Sequence, residues 1–148
     1  SGLVLSRQDL PVLAGSQASM VAKGAYVVED HDDFKVALLG SGSEVALCME
    51  VGQILKERHG IVSRIISMPS WELFAKEGDD YQDEVLPDGD YLRVSVEAAV
   101  SFGWERWIGS KGLAIALETF GSSAPANECF AHFGFEASGI AEKILAQL

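Results

Sequence analysis

The chain has few cysteines and few histidines. These shortages argue against disulfides, a cysteine nucleophile and a metal site. Its two cysteines, Cys48 and Cys129, lie far apart among apolar residues. This setting predicts buried, reduced thiols rather than a disulfide or a nucleophile. The three histidines, His31, His59 and His132, form neither an HxxxH nor an HExxH motif. Little in the sequence therefore favours a metal site.

Basic residues are also scarce. Eleven Lys and Arg stand against 22 Asp and Glu, which gives a net charge of -11 over 148 residues. This balance argues against nucleic acid as a partner. No uncharged apolar run approaches the ~18 residues that cross a bilayer, and no signal peptide is present, so we expect a cytoplasmic protein without a membrane partner. The chain begins with Ser1-Gly2 rather than Met, which is typical of a piece of a longer protein.

Short apolar runs alternate with amphipathic ones along the chain. The spacing predicts helices over residues 45–59 and 140–148. Runs rich in β-branched residues predict strands at residues 3–5, 24–28, 36–39, 63–67, 91–96 and 113–117. Such alternation is typical of a mostly parallel sheet with helices on both faces. No linker or repeat interrupts it, so residues 1–148 form one predicted α/β domain.

The sequence Gly40-Ser-Gly-Ser-Glu44 joins a predicted strand to a predicted helix. The spacing of Ser41 and Glu44 fits a capping box. The amide groups of such a junction could instead bind an anion. A capping Glu44 would put negative charge where the anion would lie, so we favour capping.

Other motifs have mainly structural interpretations. Ser122 and Ser123 lack a GxSxG nucleophile elbow and fit helix capping before Pro125. Trp104 and Trp107 predict a helix face packed on a neighbour, which could be another domain or subunit. Ser67-Met-Pro-Ser70 ends a strand and opens a short turn at Trp71–Phe74. The nine acids between residues 72 and 97 predict a solvated acidic face rather than a cation site.

Arg7 follows the apolar residues 3–5 and precedes Pro11, so it lies just past the predicted first strand. Ligands of open α/β sheets bind at that edge. The planar guanidinium of arginine pairs with carboxylate or phosphate through two bonds. From spacing alone, however, a solvated or ion-paired Arg7 is the favoured interpretation.

Six segments in order resemble the C-terminal domain of transketolases over essentially the whole chain. They are LVLSRQDLP (3–11), GSGSEVAL (40–47), SRIISMPSWELF (63–74), YQDEVLP (81–87), LRVSVEA (92–98) and TFGSSAPANECFAHFGF (119–135). The resemblance implies a three-layer fold with a mixed, mostly parallel five-stranded sheet. It also implies a full-length homodimer that transfers a two-carbon ketol unit between sugar phosphates in the pentose phosphate pathway. That enzyme would use thiamine diphosphate and Mg²⁺, bound by domains that this chain lacks.

By this resemblance Arg7 binds the phosphate of the sugar substrate, which reverses the interpretation from spacing. No catalytic, cofactor-binding or metal-binding residue is carried over, and we expect the chain alone to bind no cofactor and to be inactive. Two other classes remain open, a free-standing module that senses an anion at residues 41–44 and a purely structural interaction domain. Related enzymes such as dihydroxyacetone synthase share this domain and also remain open.

Overall fold

The computed structural model describes residues 9–119 and 126–148. Its strands are β1 (Tyr26–Glu29), β2 (Val36–Gly40), β3 (Ser63–Ser67), β4 (Leu92–Val96) and β5 (Leu113–Ile115). Its α-helices are α1 (Glu44–His59), α2 (Trp71–Phe74), α3 (Asp79–Val85), α4 (Glu105–Ile108), α5 (Ala126–His132) and α6 (Ala137–Leu145). A short 3-10 helix, Ala18–Lys23, precedes β1.

The five strands form one sheet in the order β1-β3-β2-β4-β5. Strands β3, β2, β4 and β5 run parallel to one another. Strand β1 lies antiparallel at the edge, with Tyr26 opposite Ser67 of β3. Because parallel neighbours need crossover connections, helices must pass over the sheet between these strands. Strand β2 is central and buried at every position, which explains its apolar Val-Ala-Leu-Leu sequence.

Helices cover both faces of this sheet. On one face, α1 and α6 contribute Val51, Leu55, Ile140 and Ile144 to a fully buried core. On the other face, α2, α3 and α4 contribute a second core around Phe74, Val85 and Trp107. The predicted α/β class, with a mixed, mostly parallel five-stranded sheet and helices on both faces, is confirmed.

Most predicted elements are found within two or three residues of their expected bounds. Helix α1 and strand β3 agree closely, whereas the predicted final helix is displaced towards the N-terminus. Helix α6 begins at Ala137 and ends at Leu145, and Leu148 is exposed. Ile144 is the last fully buried residue of its apolar stripe, and the amide of Leu148 closes one last turn on the Ile144 carbonyl. The strand predicted at residues 3–5 lies outside the described residues.

The predicted burial of the cysteines is confirmed for Cys48 and wrong for Cys129. Cys48 on α1 is a fully buried free thiol. Cys129 is only half-buried, because it lies on the short helix α5, where Phe130 packs against the core. No helix in the described part of the chain is long and apolar enough to span a membrane.

Candidate functional site

The connections that leave β2 and β4 pass to opposite faces of the sheet. Helix α1 follows β2 on one face, and α4 follows β4 on the other. Since β2 and β4 are hydrogen-bonded neighbours, a crevice opens at their carboxyl ends, where ligands of such folds bind. We call residues 41–44, 68–70 and 97–102, which follow β2, β3 and β4, the carboxyl edge.

Two clefts open at the carboxyl edge. The first has a volume of ≈ 360 Å³ and is lined by residues that include Ser41, Glu97, Trp71 and Phe102. The second has a volume of ≈ 270 Å³ and lies between the start of α1 and the end of β3. Leu10 and Pro11 line this second cleft, so the described chain begins beside the same edge.

A hydrogen bond between Ser41 and Glu97 bridges the crevice. Gly40 pairs with Val96 in the sheet, so the two residues that follow them emerge side by side. The Ser41 hydroxyl donates to Glu97 Oε2 over 2.7 Å. Burial raises the pKa of the Glu97 carboxyl, the bond from Ser41 opposes this rise, and the carboxylate of Glu44 adds to it.

The capping box predicted for Ser41 and Glu44 was wrong. The first helical residue is Glu44 itself, its N-cap is Ser43, and no side chain caps α1. The Ser43 hydroxyl lies within 3.1 Å and 3.0 Å of the two Glu44 carboxylate oxygens and donates to them. Glu44 is only 6% exposed. The box fails because the helix begins at Glu44, so Ser41 lies two positions before the N-cap and Glu44 is not at the N3 position. The hydroxyl of Ser41 instead donates to the carboxylate that follows β4.

The electrostatics of the carboxyl edge disfavour an anion. Burial raises the pKa of Glu44, and hydrogen bonds from its own backbone and from Ser43 oppose only part of the rise. Residues 41–44, 68–70 and 97–102 include two carboxyl groups, those of Glu44 and Glu97, and no Lys or Arg, so they offer no positive charge to the anion of the alternative interpretation. Burial, together with these two carboxylates, raises the pKa of the Cys48 thiol far above its usual range. Cys48 is therefore protonated and is not a nucleophile.

Aromatic residues form the wall of the first cleft. Trp71 and Trp104 meet edge to face, with ring centroids 5.0 Å apart. Trp107 packs at 5.0 Å from the ring of Phe74. Trp104 and Trp107 are buried inside this domain, so the suggested packing on another domain or subunit was wrong. The Ser70 hydroxyl accepts a 3.3 Å hydrogen bond from the Leu73 amide and caps α2, as expected for that junction.

The structure brings together only some of the residues considered from the sequence. Arg7, Ser122, Ser123 and Pro125 lie outside the described residues. Seven of the nine acids between residues 72 and 97 are exposed, which confirms a solvated acidic face for them. The prediction was wrong for Glu97, which is half-buried because it follows β4 at the crevice. Within residues 9–119 and 126–148, no three His, Cys, Asp or Glu side chains could together hold a metal ion.

Sequence analysis missed the role of Glu97. Its partner Ser41 is 56 positions away, and only the pairing of β2 with β4 brings the two together. An acid directly after a buried strand could have indicated this position. The carboxyl edge thus offers two shielded carboxylates, serine hydroxyls and an aromatic wall. Such a set suits a cationic or hydroxyl-bearing group, and it lacks a base placed to activate a nucleophile.

Comparison with known proteins decides the family. A model described as the transketolase-like TK C-terminal domain matches residues 24–136, which is more than half of the chain. The chain belongs to the transketolase family. Transketolase 7 of Craterostigma plantagineum is 43% identical over 143 residues, which cover 93% of this chain and 21% of that protein. A transketolase of Nostoc sp. is 41% identical over 142 residues, which cover 95% of this chain and 21% of that protein.

Solved transketolases also share the fold. A mutant transketolase from Pichia stipitis matches with a TM-score of 0.89 at 33% identity. A transketolase from Leishmania mexicana matches with a TM-score of 0.86 at 35% identity. Each match covers 95% of this chain and 20% of the solved chain. This chain therefore spans about a fifth of the length of these transketolases, and the match confirms the resemblance carried by the six sequence segments.

Proposed function

We propose that this chain is the C-terminal domain of a full-length transketolase that transfers a two-carbon ketol unit between sugar phosphates. The observation that supports this most strongly is the family match over most of the chain, combined with coverage of only about a fifth of the transketolases compared above. Solved relatives from Pichia stipitis are described as complexes with fructose-6-phosphate and sedoheptulose-7-phosphate. We extend that substrate class, phosphorylated sugars, to the full-length form of this protein.

The proposal places thiamine diphosphate and Mg²⁺ outside this domain. The described residues do not fit either group, because they include no set of three metal-ligating side chains. The carboxyl edge does not suit a diphosphate, since its residues include the carboxyl groups of Glu44 and Glu97 and no Lys or Arg to offset the negative charge. In this proposal the chain alone is inactive, and the full-length enzyme is a cytoplasmic homodimer.

Within the proposal, Arg7 binds the phosphate of the sugar substrate. The resemblance to transketolases supports this role, and Leu10, three positions later in the sequence, lines a cleft at the carboxyl edge. An arginine is well suited to a substrate phosphate, because its fork of donors pairs with two oxygens at once. It would also supply positive charge in a chain of net charge -11.

The direct test compares two proteins, the 148-residue chain and the full-length product of its complete reading frame. Ketol transfer between phosphorylated sugars is measured with thiamine diphosphate and Mg²⁺ present. The proposal requires turnover by the full-length protein and none by the chain alone. Turnover by the chain alone, or a complete reading frame no longer than this domain, would overturn it.

A further inference from the structure

Exposed apolar side chains concentrate at the carboxyl edge. Seven large hydrophobic residues are exposed in the described part of the chain, and four of them line the two clefts there: Leu10, Val21, Val100 and Phe102. Phe102 is 83% exposed and Val100 is 56% exposed. Apolar side chains that gather on one surface, with polar groups between them, mark an interaction site.

The same edge carries two carboxyl groups shielded from water, those of Glu44 and Glu97, which have no cationic partner among the described residues. In the described residues, Glu44 and Glu97 receive side-chain hydrogen bonds only from the hydroxyls of Ser43 and Ser41. The ion pairs of the described chain all involve other acids. Carboxylates withdrawn from water are normally paired with a positive group, because desolvation without a partner is costly. The edge therefore has the chemistry of half of an interface, whose other half supplies a cation.

The length of the relatives indicates what covers this edge. About four-fifths of Transketolase 7 of Craterostigma plantagineum and of the Pichia stipitis enzyme lies outside the segment that this chain matches. A second copy of this chain is a poorer occupant, since two carboxyl edges facing each other would oppose Glu44 and Glu97 to their own copies.

We infer that the remainder of the full-length polypeptide docks on the carboxyl edge, bringing an arginine or lysine to Glu97 and an apolar surface to Phe102. This inference rests on the proposed function, because it requires the longer chain. It assigns the edge where ligands of such folds usually bind to contact between domains. Glu97 and Phe102 act there as docking residues and touch no substrate.

Hydrogen exchange of the full-length protein and of the 148-residue chain tests the inference. Peptides over residues 41–44 and 97–104 report on the carboxyl edge. Residues 87–91, in the exposed loop before β4 at the opposite edge, serve as the internal control. We expect exchange at the carboxyl edge to be slower by about tenfold or more in the full-length protein, equal to at least about 1.4 kcal/mol. The control peptide should be unchanged.

Variants of the full-length protein separate the two parts of the interface. Phe102→Ser and Glu97→Gln should each return exchange at residues 41–44 towards that of the isolated chain. Leu148→Ser removes an exposed apolar side chain that lines neither cleft, and it should have no effect. If slow exchange at residues 41–44 survives Glu97→Gln, the proposed contact between Glu97 and a cation is refuted. If it survives Phe102→Ser, the proposed apolar contact is refuted.

Further outcomes of the exchange and activity measurements distinguish docking from self-association and from the proposed function. Equal exchange at the carboxyl edge in both proteins would overturn the inference. Protection in the isolated chain that increases with its concentration would identify a second copy as the occupant and overturn it as well. A full-length protein that protects the edge but transfers no ketol unit would support docking while refuting the proposed function. Turnover by a full-length protein whose carboxyl edge is not protected from exchange would support the proposed function and refute docking.

Discussion

The hydroxyl of Ser41 donates a 2.7 Å hydrogen bond to Oε2 of Glu97, across the point where the connections after β2 and β4 diverge. This bond joins the ends of two neighbouring parallel strands. It also supplies the only side-chain donor that Glu97 has among the described residues. The geometry of the crevice therefore depends on a contact that neither strand makes through its backbone.

Removing this donor should destabilise the isolated chain. Ser41→Ala leaves Glu97 partly buried without its hydrogen bond, which should lower the free energy of unfolding by about 1–2 kcal/mol. Urea unfolding at pH 7 measures the change. Ser110→Ala is the matched control, because Ser110 is exposed. Equal midpoints for Ser41→Ala and the wild type would show that the bond contributes nothing.

The carboxylate of Glu97 should make the isolated chain less stable as the pH rises. Its pKa is raised in the folded protein by burial, so the folded state holds the proton more tightly than the unfolded state. Stability is then greatest below the unfolded value near 4.5 and falls as the pH rises through the folded pKa. Glu97→Gln removes the titrating group, so the variant should lose less stability than the wild type between pH 4 and pH 7.

Glu118→Gln provides the opposite control for that experiment. Glu118 is exposed, and hydrogen bonds from Ser101 lower its pKa. Glu118 therefore changes stability with pH in the direction opposite to Glu97. It stabilises the folded chain above its unfolded pKa, and this contribution is lost as the pH falls. Denaturant midpoints at several pH values compare the two variants. If stability rises with pH equally in the wild type and in Glu97→Gln, a raised pKa of Glu97 is not the cause of the pH dependence.

Much of this fold could be predicted because burial leaves a clear pattern in the sequence. Strand β2 is apolar along its length, and α1 shows helical spacing, so both were located closely. The end of α6 was misplaced because Leu148 continues the apolar pattern after packing has ended. The spacing of apolar residues in a helix does not show where the surface against which the helix packs comes to an end.

The candidate site could be predicted far less well. The spacing of Ser41 and Glu44 fits a local capping box, yet Ser41 instead bonds to a carboxylate that follows β4. Likewise, Trp104 and Trp107 indicated a packed face but not that its partners were Trp71 and Phe74. Both contacts depend on the order of strands and helices in space. Sequence spacing carries no information about that order.

Gly24 should be intolerant of any side chain. It has a φ of +81°, and an added Cβ would lie 2.2 Å from the Phe74 amide nitrogen and 2.3 Å from the Ser70 carbonyl oxygen. Because both are backbone atoms of the segment that bears Trp71, Gly24→Ala should shift the cleft wall and cost more than about 3 kcal/mol. Gly60→Ala, at a φ of +68° with no atom within 4 Å of the Cβ, should cost only about 1 kcal/mol. Thermal unfolding of both variants measures the difference, and equal losses would contradict the steric account.

The 148-residue chain should bind no thiamine diphosphate. The described residues provide no set of metal ligands, and the carboxyl edge is acidic. Titration calorimetry with thiamine diphosphate and Mg²⁺ should give no measurable heat of binding at micromolar protein. The full-length protein is the positive control. Micromolar affinity in the isolated chain would contradict the assignment of cofactor binding to other domains.

The most direct measurement of the central claim is the KM of full-length Arg7→Ala for phosphorylated and non-phosphorylated acceptor sugars. A distant phosphate contacts Arg7 equally in the ground and transition states, so its loss should raise KM and leave kcat nearly unchanged. A charge-assisted hydrogen bond contributes about 1.5–3 kcal/mol, which corresponds to a roughly ten- to hundredfold higher KM for phosphorylated sugars. Arg7→Lys should restore this only in part. Non-phosphorylated acceptors should be unaffected, and an equal loss with both kinds of acceptor would contradict the role of Arg7 in phosphate binding.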